Sequence, residues 1–486
     1  MTELYKERFR PQFHLTPPNG PMSDPNGMVF FEGIYHQFYQ FTGRWGHAVS
    51  RDLIHWEHLP LALVSDELGD IWSGCCVVDK QDTSGLFGGE AGLVALFTHY
   101  KEGLQSQSLA YSSDHGTSWT KYAGNPVIPN PGIRDFRDPN VFWHELSGKW
   151  VMVVSVDKRV YFYSSSNLTA WHFESEFGEG QGSQAAVWEC PDLFCLPVDR
   201  DADRLKWVLH VSIGDNKETD GSTAQYFIGE FDGQRFINDD AAGEHIRWTD
   251  YGQDFYAAVT YSDMPEEDGR SVWLGWTSNW KYPFAGPTEP WKGGMSVPRT
   301  LELRTDYEGV IGLCQKPIAE LKRLRTDALR FAFVEASDQV VKLDFQGASF
   351  ELVAEMEWKD AESFGIRVLC SQSGSESAAF GYETAGQTVF VDRMNAGRND
   401  FINREGEPFD FGKRFTAPYK AANNRITFHA FVDESVIELF VGNGEKVFTV
   451  LVYPAPGSHG LELFASGGSA VFRSVDVYRL KSIWHK

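Results

Sequence analysis

The sequence predicts an all-β protein, a propeller of four-stranded blades followed by a β-sandwich, and three observations carry that prediction. Short alternating runs such as GMVFFEGIYHQFYQF, KWVMVVSV, RVYFYSS, KWVLHVSIG and SVWLGWTS dominate, each bounded by Gly, Asp, Asn or Pro, while long helical periodicity is nearly absent. A strand–turn–aromatic motif recurs at intervals of roughly 50 to 70 residues, a spacing that suits propeller blades with variable loops. After Gly312 the texture of the chain changes.

The motif is read as follows. AVSRDLIHWEHL reaches Trp56, AYSSDHGTSWTKY reaches Trp119 and YSSSNLTAWHFE reaches Trp171. GEFDGQRFI is a fourth copy with Phe236 in place of Trp, and RTDYEGVIGL closes a fifth near Val310. In each, an apolar strand enters a Ser/Asp/Asn turn and a large apolar residue opens the next strand. The segment CQKPIAELKRLRTDALR is the most helix-like and carries a basic cluster, which predicts a connector with a short helix over 315–335. The expected units are therefore a catalytic propeller over 1–314 and a sandwich over 336–486, the latter built from SFELVAEMEW, FGIRVLC, TVFVDR, RITFHAFVDESVIELFV and GLELFASGG.

Composition narrows the function. Aromatic residues make up 14% of the 486, including 16 Trp and 36 Phe, which suits pleated sheets and also stacking on the C–H faces of sugars. A net charge of -23 argues against nucleic-acid partners, which need clustered Lys and Arg. No stretch approaches the ~18 continuous apolar residues of a membrane helix. The six cysteines form no zinc-type cluster, and Cys190 and Cys195 are too loosely spaced for a redox pair. With a charged N-terminus lacking an apolar leader, the expectation is a cytoplasmic protein with reduced thiols and no metal or organic cofactor.

Three acids stand in Pro-containing turns: Asp24 in SDPNG, Asp138 in FRDPN and Glu189 in VWECPD. Each alone reads as an ordinary turn residue. A propeller, however, brings the innermost strands of separate blades to one funnel, so the three can converge. Two facing carboxyl groups suffice for glycoside hydrolysis, roughly 5–5.5 Å apart in a retaining enzyme. Glu189, beside Val187, Trp188 and Cys190, has the most apolar local sequence and is the expected acid, its pKa raised by burial. Asp138 follows Arg137, a cation expected to hold it ionised as a stabiliser. Nothing in the local sequence selects Asp24 as the nucleophile.

Over nearly its whole length the chain resembles glycoside hydrolase family 32, the invertase, levanase and exo-inulinase group. The likeness runs through FHLTPPNGPMSDPNGMVFFEGIYHQFYQ, WGHAVSRDLIHWEHLPLAL, WSGCCVVD, KYAGNPVIPNPGIRDFRDPNVFW, WECPDLF, DFYAAVTYSD, GWTSNW and LKSIW. The resemblance implies a five-bladed β-propeller followed by a β-sandwich and a retaining, exo-acting β-fructofuranosidase. It implies Asp24 as nucleophile, Asp138 as transition-state stabiliser and Glu189 as acid/base. Gln40, Trp45, Trp72, Ser73 and Arg137 match fructose-subsite positions, with Trp280, or in second place Trp276, beside them. The expected partner is a small or oligomeric fructoside, and the sandwich is a candidate homodimer surface. Two alternatives stand: a fructosyltransferase or difructose-anhydride enzyme, and a fructoside-binding protein without turnover.

Three departures from the family pattern cluster around this site. Ser23 stands where relatives usually carry Asn, replacing an amide with a shorter hydroxyl that has one donor. Loss of a hydrogen bond to the sugar at this position would cost roughly 0.5–1.5 kcal/mol. The loop Phe41, Thr42, Gly43 and Arg44 is short, which predicts an open rim with Arg44 near the leaving group. QAA precedes VWEC where levanase-like relatives tend to have His-Gly-Gly.

Overall fold

The computed structural model describes residues 4–265 and 267–484. Strand follows strand, and among the described residues the only helical elements are the 3-10 segments Ala319–Leu324 and Ala422–Asn424.

The first three sheets have four antiparallel strands each, in chain order, running from Pro25–Phe31 to Trp56–Leu63, from Asp70–Asp79 to Thr120–Lys121, and from Phe136–His144 to His172–Phe177. A further sheet of nine strands divides into two halves on the same plan. Trp188–Val198 leads outward to Phe236–Asn238, and Tyr256–Thr260 leads to Ile311–Pro317, with one parallel pair, Val198 and Leu303, joining the halves. Phe38, Trp45 and Phe97 fill the space between the first two sheets, and Phe162, Trp188 and Phe227 fill the space beyond the third. Burying each such side chain is worth about 1.5–3 kcal/mol.

The recurring turn motif has one physical basis. Asp52 Oδ1 accepts the N–H groups of Ile54 and His55 at 3.1 and 2.9 Å, and Asp114 Oδ1 accepts that of Ser118 at 2.8 Å. Asn167 Oδ1 accepts from Thr169 and Ala170, Asp232 Oδ1 from Gln234 and Arg235, and Asp306 Oδ1 from Glu308 and Val310. A short carboxylate or amide thus replaces a backbone acceptor and reverses the chain. The strands that follow open at Trp56, Thr120, His172, Phe236 and Ile311.

The inner strands Pro25–Phe31, Asp70–Asp79, Phe136–His144, Trp188–Val198 and Tyr256–Thr260 touch in succession, and the last touches the first. Phe30 N–H donates to the Ser262 carbonyl at 3.0 Å and Ser262 N–H to the Met28 carbonyl at 2.9 Å, closing the ring. Every inner strand has a register slip near its start at which two residues oppose one: Gly27–Met28, Trp72–Ser73, Asp138–Pro139, Cys190–Pro191 and Ala257–Ala258. Such bulges bend a strand and re-aim its side chains.

The expected boundary at 314 falls inside the strand Ile311–Pro317, and the expected connector over 315–335 is shorter than predicted. Its helix is the 3-10 turn Ala319–Leu324, and Arg325–Gln346 is a strand of 22 residues. That strand is exposed along most of its length, so it carries none of the apolar alternation that marks a half-buried strand.

The C-terminal unit is a β-sandwich whose layers share one strand. Residues 460–466 of Gly460–Leu480 pair with Ser363–Cys370, whereas 470–479 pair with Phe350–Trp358. Gly467 and Gly468, at φ 65° and 132°, lie between the two stretches, where a side chain would be strained. Phe380 and Phe428 meet across the layers at 5.9 Å.

Buried charge joins the two units. Arg299 donates to Glu438 Oε2 at 2.6 and 3.1 Å and to Asp250 Oδ2 at 3.2 Å. His14 is held between Asp433 and Glu438 at 2.9 Å on each ring nitrogen. Arg393 donates to Asp254 Oδ2 at 2.6 Å and to the Phe411 carbonyl at 2.8 Å. Each cation meets its acceptors inside the contact, the condition under which buried charge is tolerated.

Candidate active site

The register slips decide where the three acids point. Asp138 and Cys190, the first residues of their bulges, have φ of 63° and 46°, as Ala257 does at 55°. This left-handed conformation costs a non-glycine residue about 1–3 kcal/mol and persists only where surroundings enforce it. Here the freed amides find side chains on the preceding sheet, or for Ala257 on the preceding half of the nine-stranded sheet: Asp138 N–H donates to Thr98 Oγ1 at 2.8 Å, Cys190 N–H to Asp138 Oδ2 at 3.0 Å, and Ala257 N–H to Ser212 Oγ at 2.9 Å. One of those bonds therefore fixes a candidate catalytic carboxylate.

Asp24 lies just before the first inner strand. Gln40 N–H donates to its carbonyl at 3.0 Å, and Ser23 N–H donates to the Gln40 carbonyl at 3.2 Å, clamping the backbone on both sides. Asp24 Oδ2 accepts the Ser73 hydroxyl at 2.8 Å, whereas Oδ1 is buried with no hydrogen-bond partner. Cys190 Sγ stands 3.8 Å from Asp24 Oδ2 and 3.7 Å from Asp138 Oδ2, a thiol set between two carboxylates.

Glu189, Arg137 and Tyr256 occupy the matching position, immediately before the slip, on adjacent inner strands. They form a hydrogen-bonded chain across the funnel. Arg137 donates from Nε at 3.1 Å and Nη2 at 2.9 Å to Glu189 Oε1, and the Tyr256 hydroxyl donates to Glu189 Oε2. Arg137 Nη1 also holds Asp135 Oδ1 at 2.7 Å, while Asp138 Oδ2 lies 4.0 Å from Nε. Arg137 thus keeps an ion pair with its neighbour Asp138, while its hydrogen bonds go to Glu189 and Asp135. The slip separates the directions of residues 137 and 138, and sequence adjacency does not show it.

The electrostatics follow from this geometry. Burial pushes the Asp24 carboxyl up to about 7, with the charges of Asp138 and Glu189 adding to the shift and the Ser73 hydroxyl opposing it. Asp138 is also raised above the ordinary carboxylate range by burial, against the pull of Arg137 and with a push from Glu189. Burial works against the charge of Arg137, but Glu189, Asp138 and Asp135 outweigh it and raise its pKa. Burial and the adjacent Asp138 and Asp24 put the Cys190 thiol well above its ordinary value, so this cysteine stays protonated.

A cavity of about 590 Å³ opens over these groups, and its wall contains Asp24, Gln40, Trp72, Ser73, Arg137, Asp138, Glu189 and Trp280. Trp72 stacks on Tyr100 with ring centres 4.1 Å apart, and Gln40 Nε2 donates to the Ile71 carbonyl at 2.7 Å, so both are held in place. Two of the expected sugar-binding residues lie outside this wall. Trp45 is 0% exposed beneath the wall, where its Nε1–H donates to the Trp72 carbonyl at 2.9 Å. Ser23 is 4% exposed and outside the wall, and it acts through its backbone amide. Trp276, the second choice beside Trp280, is fully buried behind it at 4.9 Å. Arg44 also lies outside the wall, and its carbonyl closes the short turn by accepting Phe41 N–H at 2.8 Å.

Sequence reasoning missed Tyr256, Asp135, Arg134, Gln105, Asp215 and Arg404, of which all but Tyr256 line the cavity. The equivalence of Tyr256 with Glu189 appears only through the register slips. No group of three His, Cys, Asp or Glu among the described residues is arranged to hold a metal ion.

Comparison with known proteins identifies the family. Residues 14–317 match the profile described as glycosyl hydrolases family 32 N-terminal domain, and 320–479 match glycosyl hydrolases family 32 C terminal. The chain is 45% identical over 496 residues to a levanase of Bacillus subtilis (strain 168), covering 99% of this chain and 72% of that protein. It is 42% identical over 503 residues to a levanase of Bacillus sp. (strain L7), covering 99% of this chain and 53% of that one. The crystal structure of exo-inulinase from Aspergillus awamori superposes with a TM-score of 0.91 at 34% identity, covering 99% of this chain and 100% of the other. The chain belongs to glycosyl hydrolases family 32, and it is a glycoside hydrolase of the β-fructosidase type.

Proposed function

We propose that this protein is a retaining, exo-acting β-fructofuranosidase that releases terminal fructose from sucrose, fructo-oligosaccharides or fructans. The observation that carries the mechanism is Asp24 Oδ1, a buried carboxylate oxygen without a partner in the wall of the cavity that also holds Glu189. Oδ1 attacks the anomeric C2 of the terminal fructosyl unit. The bond from C2 to the leaving oxygen breaks as Glu189 delivers its proton to that oxygen, and the fructosyl ester of Asp24 forms. Water then attacks C2, gives a proton to Glu189, and frees fructose and the Asp24 carboxylate. Asp138, held by Cys190 N–H, faces the positive charge that develops at the ring.

The ring of sheets is read as a five-bladed β-propeller, supported by five inner strands in cyclic contact and five matching turns. A cytoplasmic location is part of the proposal and is supported by six cysteines that form no disulfide.

Proton NMR of the first minutes of sucrose or fructo-oligosaccharide cleavage tests the mechanism. Retention gives β-fructofuranose as the first product in the wild type, and Asp24→Asn abolishes release while keeping the fold. Initial release of the α anomer, or full activity in Asp24→Asn, would overturn the assignment.

A further inference from the structure

Among the described residues, the cavity wall draws one side chain, Arg404, from the sandwich unit. Arg404 stands at the tip of the hairpin formed by Asp400–Ile402 and Pro408–Asp410. The tip is tied by three hydrogen bonds: Asn403 N–H donates to the Glu407 carbonyl at 2.7 Å, and Asn403 Oδ1 accepts from the N–H groups of Glu405 and Glu407 at 3.0 and 2.8 Å. Arg404 N–H donates across the unit boundary to the Lys281 carbonyl at 2.9 Å, and Phe409 stacks on Tyr282 at 4.9 Å with an 8° tilt. The hairpin is therefore docked on the segment that carries Trp280, and the Arg404 guanidinium carbon lies 5.5 Å from the Trp280 ring centre.

The side of the cavity matters. Trp280 neighbours Tyr256 at 6.4 Å between ring centres, and the Tyr256 hydroxyl donates to Glu189. Trp72, Ser73 and Gln40 belong to the Asp24 side instead, through the Ser73–Asp24 bond and the Gln40 backbone. A leaving oxygen protonated by Glu189 would carry its remaining atoms toward Trp280 and the rim beyond. Asp215 lies on the same wall, its carboxyl raised by burial and by Glu405 and lowered by Lys281 and Arg404. An aromatic face, a planar five-donor guanidinium and a carboxylate together suit a neutral, hydroxyl-rich ring.

We propose that Arg404, supplied by the sandwich unit, is a specificity-determining residue of the leaving-group subsite, donating to hydroxyls of the second and later sugars of an oligosaccharide. The inference rests on the fructosidase reading above. The sandwich thus selects substrate length in addition to bracing the ring.

The test compares kcat/KM for methyl β-D-fructofuranoside, whose leaving group is too small to reach Arg404, with kcat/KM for an inulin-type trisaccharide. Wild type, Arg404→Ala, Arg404→Lys and Glu407→Gln are measured in the full chain, Glu407 being at the same tip but outside the cavity wall. The trisaccharide-to-methyl-fructoside ratio is expected to fall about tenfold in Arg404→Ala, chiefly through KM, as fits the removal of a charged hydrogen bond. It falls less in Arg404→Lys and stays constant in Glu407→Gln. An unchanged ratio, or an equal loss on both substrates, overturns the inference, and Arg404→Lys carries the test if Arg404→Ala fails to fold. Wild type that releases no fructose from either substrate would instead overturn the fructosidase reading itself.

Discussion

Arg137 directs two of its donors, Nε and Nη2, to a single oxygen of Glu189, at 3.1 and 2.9 Å, and a third to Asp135 at 2.7 Å. One guanidinium therefore orients the candidate acid and ties it to the loop before the third inner strand. Arg137→Ala is expected to lower kcat/KM by about 100- to 1000-fold, because each charge-assisted bond is worth roughly 1.5–3 kcal/mol. Arg137→Lys is expected to recover little, since an ammonium cannot reproduce the planar fork. Steady-state kinetics with circular dichroism on both variants checks this, and an active Arg137→Lys enzyme would contradict it.

The acid limb of activity is expected to follow Asp24. Its carboxyl must be ionised to attack, and burial has moved it up to about 7 in the free enzyme. The kcat/KM profile should therefore fall as pH drops through about 7. The Ser73 hydroxyl stabilises the ionised form, so Ser73→Ala raises the pKa further and moves the limb upward by about one unit, or roughly 1.4 kcal/mol. A limb that stays in place in this variant would show that the bond does not tune the nucleophile.

Tyr256 gives Glu189 Oε2 a hydroxyl donor from the neighbouring inner strand. Tyr256→Phe keeps the packing and removes that donor, and a roughly 10- to 100-fold loss in kcat is expected. Pre-steady-state measurement of fructose release separates a slowed chemical step from weaker binding, and wild-type kcat in this variant would sink the prediction.

The charge of the cavity bears on phosphorylated substrates. Asp24, Asp135, Asp138, Glu189 and Asp215 face Arg134, Arg137 and Arg404, so acidic side chains outnumber basic ones in the wall. A phosphate brings about -1.5 to -2 charges at neutral pH. Sucrose 6-phosphate is expected to react with kcat/KM at least about tenfold below that of sucrose, with a gap that narrows as salt screens the exposed part of the field. Equal rates at low ionic strength would refute this.

Stability against pH should report the contact between the units. Asp433 and Glu438 overcome the effect of burial on His14 and raise its pKa to about 9. The stabilisation is fully present below the unfolded value of about 6.5 and is lost as pH rises through the folded value, amounting to about 1–3 kcal/mol. Glu438 is depressed, chiefly by Arg299 and His14 acting against burial, so its contribution is lost instead as pH falls through its folded value. Thermal unfolding from pH 6 to about 9.5 should show a decline that flattens in His14→Ala. A parallel decline in both proteins would place the dependence elsewhere.

Much of this was legible in the sequence, and its limits have physical causes. Asp52, Asp114, Asn167, Asp232 and Asp306 could be read as repeating turns because an Asx turn depends only on residues next to it. Asp24, Asp138 and Glu189 could be placed together because a ring of inner strands gathers residues distant in the chain. The partner of Arg137 could not be read, since it depends on a register slip that alternation does not reveal. Trp45 matches a fructose-subsite position and is a buried prop for Trp72, because aromatic residues serve cores and ligands alike. Arg404 carried no signal at all, being brought to the cavity by the docking of one unit on the other.

The slips in the inner strands occur at matching positions, so Asn26, Ile71, Arg137, Glu189 and Tyr256 are geometric equivalents. The backbone supplies one mounting point several times over, and chemistry is chosen by what each point carries. A side chain can be exchanged at one of these points without asking its strand to change shape. Such a scaffold separates the inheritance of architecture from the inheritance of specificity. New acceptors or leaving groups can be explored by single replacements on a frame that stays the same.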